Sequence, residues 1–199
     1  PYSKVYGHLT HLTYLNLANP EKLGTPPVEG HVRWRQNPLV TVGDPSIIEE
    51  ATKNIKFFVS IAYVMDEQTW FADLVLPDHT DLERWDIAPQ GQSVGTKFAG
   101  MLLRQPAVEP LHNTRDIGYI CSELAERLGI LGKYNNILSK KLDLDEKNRL
   151  DPGKRYSWKE TVSRACLSIS RGDKDLSWFA ESGGVLRPVT SSKQYDFHT

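Results

Sequence analysis

The chain has 199 residues, of which 39% are hydrophobic and 25% are charged, and this composition is typical of a folded globular protein. Its 24 basic and 25 acidic residues nearly cancel, so the net charge provides no general attraction to nucleic acid or to an anionic membrane. No run approaches the roughly 18 apolar residues that a membrane-spanning helix needs. Ligand recognition must therefore come from a local arrangement of side chains.

The amino-terminal part of the sequence reads as the interior of a longer polypeptide. The chain starts at Pro1 rather than at a methionine. Pro26, Pro27 and Gly30 then indicate a loop. We therefore expect an internal fragment in which residues 1–30 lead in from a preceding domain.

Alternation of side chains predicts the first strand over residues 31–35, with Val32 and Trp34 on one face. The strand is expected to end at the turn that contains Asn37. A short helix should follow, because Asp44 is a favourable N-cap directly before a proline. This order is strand, loop and helix.

Two further apolar runs predict strands at residues 57–62 and 74–76, with a short helical turn over residues 66–71 between them. The run 57–62 has no polar alternation, as expected for a strand that is covered on both faces. Alternating strands and helices predict a parallel α/β sheet, and ligands bind such sheets at the carboxyl ends of the strands.

The second half of the chain carries two helix patterns. Apolar residues at helical spacing predict a helix over residues 114–128 that stops at Gly129. Ser157 and Glu160 form a capping-box pattern that predicts a second helix extending toward Gly172. Cys121 and Cys166 lie on the apolar faces of these helices and lack metal-ligand spacing, so we interpret them as buried small side chains.

Three carboxylates, Asp78, Asp81 and Glu83, follow the third predicted strand. One interpretation is acid–base machinery; the other is a solvated loop with one structural glutamate, and the lack of a catalytic partner favours the loop. The sequence also lacks glycine-rich phosphate loops, the zinc-binding H-E-x-x-H pattern and the G-x-S-x-G nucleophile pattern.

One run is more specific than these patterns: Thr69-Trp70-Phe71-Ala72-Asp73-Leu74-Val75-Leu76-Pro77, followed by Leu82-Glu83-Arg84. It resembles a hallmark of the molybdopterin oxidoreductases of the dimethyl sulfoxide reductase family. Other segments match the same family in the same order: Gln36-Asn37-Pro38, Gln105-Pro106-Ala107-Val108-Glu109-Pro110, Asp116, Glu123-Leu124-Ala125 up to Gly129, and, more weakly, Tyr156-Ser157-Trp158 and Gly183-Gly184.

The resemblance implies a fold and a domain organisation. It is strongest over residues 30–130. It implies that residues 31–130 are the pterin-dinucleotide-binding portion of an α/β domain with a Rossmann-like parallel sheet and flanking helices, inside a larger multidomain subunit. Residues 131–199 would then be a helical connector toward further domains.

The resemblance also implies a function. It indicates part of the catalytic subunit of a molybdenum- or tungsten-dependent oxidoreductase that uses bis-molybdopterin guanine dinucleotide. An iron–sulfur cluster is expected elsewhere in the subunit, and the expected partners are the rest of the subunit, an iron–sulfur electron-transfer subunit and a small-molecule substrate. The metal ligand would lie outside these residues. The alternatives are a cofactor-free homologue that acts as a scaffold in an electron-transfer complex, and an unrelated small-molecule-binding α/β module.

Five cofactor-binding positions carry over from the family by motif: Asn37, Ile61, Ala62, Arg84 and Asp116. Asn37 offers a donor and an acceptor, Arg84 can neutralise phosphate or stack on a base, and Asp116 can accept from guanine donors. Asp116 also has a simpler interpretation as a helix-start charge. Many relatives have an aspartate where this chain has Ala62, so the resemblance implies that a guanine-recognising carboxylate is absent at that position. Either backbone groups and Asp116 hold the base instead, or this domain binds its nucleotide more weakly than its relatives do.

Overall fold

A computed structural model describes residues 10–24, 26–90 and 98–188. The chain divides into two compact units, residues 1–78 and 79–199. The boundary between the units lies inside the region 31–130 that the sequence groups together. Within the described ranges, no helix is long and apolar enough to cross a membrane.

The first unit combines short helices with a parallel sheet. Its elements in chain order are α1 (Thr10–Ala18), α2 (Pro20–Leu23), β1 (Gly30–Trp34), α3 (Pro38–Thr41), α4 (Pro45–Lys53), β2 (Phe57–Ala62), a 3-10 turn (Thr69–Phe71) and β3 (Leu74–Pro77).

The three strands of this unit form one parallel sheet in the order β1-β2-β3. Trp34 pairs with Ile61, and Ala62 pairs with Pro77, so the carboxyl ends of the strands meet at one edge. Each predicted strand is present within one residue of its expected bounds. The predicted parallel α/β sheet is therefore confirmed.

Helices α1 and α4 share an apolar core with β2. The Asp44 side chain accepts a hydrogen bond from the backbone N–H of Ser46 (2.9 Å), so the predicted cap of α4 is confirmed. Residues 58–62 of β2 are buried, as expected for a strand that is covered on both faces. The buried side chains of this core are Tyr14, Leu17, Ala18, Ile48, Ala51, Ile55 and Phe58.

Strand β1 buries its charged residue and exposes its apolar ones. Val32 is 60% exposed and Trp34 is 40% exposed, whereas Arg33 is only 2% exposed. The Arg33 guanidinium donates two hydrogen bonds to Asp66 (2.9 and 3.0 Å) and one to Ser60 Oγ (2.6 Å). Its two Nη atoms also donate to the Thr69 hydroxyl and to a backbone carbonyl, whereas its Nε is buried and has no hydrogen-bond partner among the described residues.

The second unit contains an antiparallel sheet in the order β4-β5-β6, which the sequence did not predict. Its elements in chain order are β4 (Asp86–Gln90), β5 (Phe98–Arg104), α5 (Ile117–Arg127), α6 (Leu131–Lys141), α7 (Trp158–Ser170), α8 (Leu176–Ser182) and β6 (Gly184–Pro188).

Both predicted helices of this unit are present as α5 and α7. Gly129 follows α5 with φ 69°, and Ser157 and Glu160 form both hydrogen bonds of a capping box on α7. Cys166 is fully buried beside Phe179, and burial raises the pKa of its thiol to about 11. Cys121 is only partly buried, so the expectation for this second cysteine is met in part.

Candidate functional site

Three of the predicted site residues lie at the carboxyl edge of the parallel sheet. Ala62 ends β2, and Asn37 follows β1 by three residues. The backbone N–H of Arg35 donates to the Ile61 carbonyl (3.1 Å), which extends the pairing of β1 and β2 beyond Trp34. Asn37, Ile61 and Ala62 therefore share one edge, as the parallel topology predicts.

Asn37 offers an unused acceptor at this edge. Its Nδ2 donates to Glu67 Oε2 (2.5 Å), whereas its Oδ1 is buried and has no hydrogen-bond partner within residues 10–24, 26–90 and 98–188. The side chain does not cap the following helix α3. A buried oxygen without a donor is unusual in a folded protein, and it marks a place where a ligand donor fits.

Arg35, Trp34 and Tyr63 form an aromatic and cationic group at the same edge. The Arg35 guanidinium carbon lies 4.7 Å from the Tyr63 ring centre and 5.5 Å from the Trp34 ring centre. Arg35 has a left-handed backbone conformation with φ 56°, which residues other than glycine rarely adopt. This conformation directs the chain from β1 into the Asn37 turn.

The position of Asp78 in the structure differs from the one expected from the sequence. It was expected to be a solvated loop charge, but it is only 1% exposed. Its backbone N–H donates to the Ala62 carbonyl (3.0 Å), and its Oδ2 accepts from Trp34 Nε1 (2.8 Å) and Arg35 Nε (2.5 Å). The prediction was wrong because the residue continues the strand pairing beyond β3 and meets donors that are distant in sequence.

The second unit contains a cavity of about 370 Å³ that brings Arg84 and Asp116 together. This volume falls within the roughly 300–1,000 Å³ of small-molecule sites. The other lining residues are His79, Glu83, Trp85, Pro106, Glu109, Pro110, Ser157, Trp158 and Lys159.

Carboxylates hold Arg84 in position beside this cavity. Its Nη2 lies 3.1 Å from Asp81 Oδ1 and 3.1 Å from Asp86 Oδ2, and the residue is only 7% exposed. Two negative charges already balance the guanidinium, so Arg84 is poorly suited to neutralise a phosphate. Its planar face remains suited to stacking on a base.

Asp116 is the N-cap of α5, where its Oδ1 accepts from the backbone N–H of Tyr119 (2.8 Å). The simpler interpretation, a helix-start charge, therefore describes what this carboxylate does inside the chain. The same residue also lines the cavity with Arg84. The capping bond fixes the carboxylate at the cavity wall.

Glu83 is the structural glutamate that the sequence predicts. Its Oε1 accepts from the backbone N–H of Leu111 (2.7 Å), and its Oε2 accepts from the backbone N–H (2.7 Å) and the hydroxyl (2.9 Å) of Thr80. These bonds, first that from Leu111, hold the pKa of the Glu83 carboxyl below its usual value. Glu83 thus ties together two segments of the cavity wall.

Two tryptophans of the cavity were not singled out by the sequence as site residues. Trp158 Nε1 donates to the backbone carbonyl of Trp85 (2.9 Å), and Lys159 Nζ lies 5.1 Å from the Trp85 ring centre. Gly118 permits this arrangement, because a Cβ at that position would lie 2.6 Å from the Trp158 ring. The weak family match at Tyr156-Ser157-Trp158 was the available signal.

Across the described ranges, there is no cluster of three or more histidine, cysteine, aspartate or glutamate side chains that could hold a metal ion.

Comparison with protein families matches residues 14–127 to a family described as molybdopterin oxidoreductase. This match covers more than half of the 199 residues. The chain belongs to the molybdopterin oxidoreductase family. The family match confirms the resemblance that was based on the hallmark run at residues 69–77 and on its flanking segments.

Three curated proteins illustrate the similarity. The thiosulfate reductase molybdopterin-containing subunit of Salmonella typhimurium is 32% identical over 108 residues, which is 54% of this chain. A trimethylamine-N-oxide reductase of Pasteurella multocida is 28% identical and matches 71% of this chain. The arsenate respiratory reductase molybdopterin-containing subunit of a Shewanella species is 28% identical and matches 68%. The matches span only 14%, 15% and 17% of these proteins.

A solved structure supports the fold. Acetylene hydratase from Pelobacter acetylenicus superposes with a TM-score of 0.59 at 19% identity, and the match covers 89% of this chain and 20% of that protein. The fold is therefore α/β and is shared with part of a larger protein.

Proposed function

We propose that this chain is part of the catalytic subunit of a molybdenum- or tungsten-dependent oxidoreductase and binds the guanine dinucleotide end of its pterin cofactor. The contacts proposed in the first unit are Asn37, Ile61 and Ala62, those proposed in the second unit are Arg84 and Asp116, and each set rests on the geometry of its own unit. The observation that carries the proposal is the cavity lined by both Arg84 and Asp116 in a chain of the molybdopterin oxidoreductase family.

The residues present fit a guanine nucleotide. The Asn37 Oδ1 is a buried acceptor that meets no donor in the described part of the chain, and the guanine edge presents adjacent N–H donors. In the second unit, an arginine face, a fixed carboxylate and two tryptophans line one cavity. The carbonyls of Ile61 and Ala62 already accept backbone hydrogen bonds, so these residues contribute the wall of the sheet edge rather than free polar groups.

The cofactor supplies the redox chemistry when it is bound, because its metal changes oxidation state as an oxygen atom, a hydroxyl group or a hydride equivalent is moved. The role of this chain is to hold and orient the nucleotide end. We further propose that the subunit carries an iron–sulfur cluster elsewhere and passes electrons to an iron–sulfur subunit. Two similar proteins are named molybdopterin-containing subunits, which does not favour the cofactor-free scaffold.

Arg84→Met tests the cavity. We expect it to weaken the binding of GDP to the complete protein, purified without cofactor, by about 10- to 100-fold, because a stacked or hydrogen-bonded cation is lost. Isothermal titration measures the change. Arg104→Met is the matched control, since Arg104 contacts the same two carboxylates but does not line the cavity. Equal GDP affinities of the two variants would contradict the cavity assignment.

Asp116→Asn tests the carboxylate separately from the helix cap. Asparagine caps helices about as well as aspartate, so α5 should be retained while GDP affinity falls by about 10- to 100-fold with the loss of a charged acceptor. Asp175→Asn makes the same change at the exposed N-cap of α8 and should leave GDP affinity unchanged. Undiminished GDP binding by the Asp116 variant would leave that residue with its capping role alone.

A further inference from the structure

The carboxyl edge of the parallel sheet contains a carboxylate beside the position where one is missing. The family resemblance implies an aspartate at the end of the second strand, where this chain has Ala62. In the structure, Ala62 pairs with Pro77, and the next residue, Asp78, donates its backbone N–H to the Ala62 carbonyl (3.0 Å). Asp78 therefore lies on the adjacent strand at the same edge.

Among the residues that the structure describes, only one oxygen of the Asp78 carboxylate is hydrogen-bonded. Its Oδ2 accepts from Trp34 Nε1 and Arg35 Nε, whereas its Oδ1 is buried and has no partner in this part of the chain. The residue is 1% exposed, so water does not freely compensate this oxygen. Leaving a buried charged acceptor unsatisfied is costly, and such groups are uncommon in folded proteins, so this oxygen offers a place for a ligand donor.

Asp66, a carboxylate of the same unit whose side chain is 14% exposed, provides a contrast at the level of its two oxygens. Asp66 Oδ1 accepts from Arg33 and from the backbone N–H and hydroxyl of Thr69, and Asp66 Oδ2 accepts from Arg33. Both oxygens of Asp66 are thus satisfied inside the unit. Asp78 differs because its two donors hold one oxygen and leave the other available.

We propose that Asp78 is a guanine-binding residue that supplies, from the third strand, the carboxylate absent at Ala62. Its Oδ1 accepts a hydrogen bond from the ring N–H or the amino group of the base, while Trp34 and Arg35 fix the carboxylate through Oδ2. The rings of Trp34 and Tyr63 are partly exposed beside it and offer surfaces for the base. This inference rests on the proposed function and adds a residue to the nucleotide site.

Asp78→Asn is the direct test. The amide oxygen can still accept from Trp34 and Arg35, but the second group becomes a donor that faces the donors of guanine. We expect GDP to bind the cofactor-free complete protein about 10- to 100-fold more weakly, as for the loss of a charge-assisted bond, and the preference for GDP over ADP to shrink. Asp44→Asn is the control, because Asp44 is an exposed N-cap in the same unit and asparagine caps equally well.

A second variant separates guanine recognition from a structural role of Asp78. Adding Ala62→Asp to Asp78→Asn restores a carboxylate at the same edge without restoring the charged partner of Arg35. We expect the double variant to regain the preference for GDP over ADP. Loss of GDP binding in Asp78→Asn without rescue by Ala62→Asp would overturn the inference, because it would leave Asp78 as an anchor for Arg35 alone.

Different results would contradict the proposed function and the inference about Asp78. If the wild-type protein, purified with its cofactor, releases no GMP on acid hydrolysis, the proposed function is overturned and the inference with it. If the wild type releases GMP and binds GDP, and Asp78→Asn binds GDP as tightly as the wild type, only the inference is overturned.

Discussion

Replacing Arg33 with methionine is expected to lower the free energy of unfolding of the first unit by about 3–5 kcal/mol, the cost typical of breaking a buried ion pair from one side. The variant removes the two hydrogen bonds to Asp66 and the bond to Ser60. The Asp66 charge then stays largely buried with only the Thr69 donors. Hydrogen exchange of the β2 amides in the complete protein measures the change in opening free energy.

The matched control for Arg33 is Lys56→Met. Lys56 Nζ lies 3.1 Å from Glu29 Oε1, but both side chains are mostly exposed to solvent. An exposed pair contributes about 0–1 kcal/mol, so this variant should leave β2 protection nearly unchanged. Equal effects of the two variants would show that burial of Arg33 is not what stabilises the sheet.

The same network predicts a dependence on pH. Burial opposes ionisation of Asp66, but hydrogen bonds from Arg33 and Thr69 outweigh it and hold the pKa of Asp66 below its usual value. A lowered pKa in the folded state means that the stabilisation is present above the unfolded pKa of about 3.9 and is lost as pH falls through the folded value. Arg33→Met should flatten this acid limb of the stability curve.

The strands of the parallel sheet could be predicted because their signal is local. The apolar run 57–62 and the hallmark run that ends at Pro77 need no knowledge of distant residues. The role of Arg33 could not be predicted, because its main partner Asp66 is 33 positions away and alternation alone assigns an arginine to the solvent face. Asp78 was misjudged for the same reason, since its partners are Trp34 at the end of β1 and Arg35 directly after it, more than forty positions away in sequence.

The antiparallel sheet of the second unit was missed in part because its last strand lies far from its partner in sequence. Strand β6 pairs with β5 from about eighty residues away, so no hairpin signal precedes it. Helix α6 was not predicted individually, because residues 131–199 were assigned only as a helical connector. Its Asn135 is buried and donates to the carbonyls of Asp151 and Lys154, a tertiary arrangement that composition does not show.

Glu83→Ala is expected to destabilise the second unit by about 1–3 kcal/mol for each backbone donor that loses its acceptor. The affected donors are the N–H groups of Leu111 and Thr80. Because these groups hold two segments of the cavity wall, GDP affinity should fall with stability. Hydrogen exchange at Leu111 and Thr80 reports the loss directly. Glu109→Ala is the control, since Glu109 lines the same cavity but is exposed.

Acid titration distinguishes this bond network from a simple loss of side-chain packing. Hydrogen bonds from the backbone of Leu111 and then of Thr80 lower the pKa of Glu83 in the folded state. Its contribution to stability is therefore present above the unfolded pKa of about 4.3 and is lost as pH falls through the folded value. Glu83→Gln keeps the shape of the side chain without the titration, so exchange at Leu111 should become insensitive to pH below that range, after correction for intrinsic rates. An acid limb that persists unchanged in the glutamine variant would assign the pH dependence to another carboxylate.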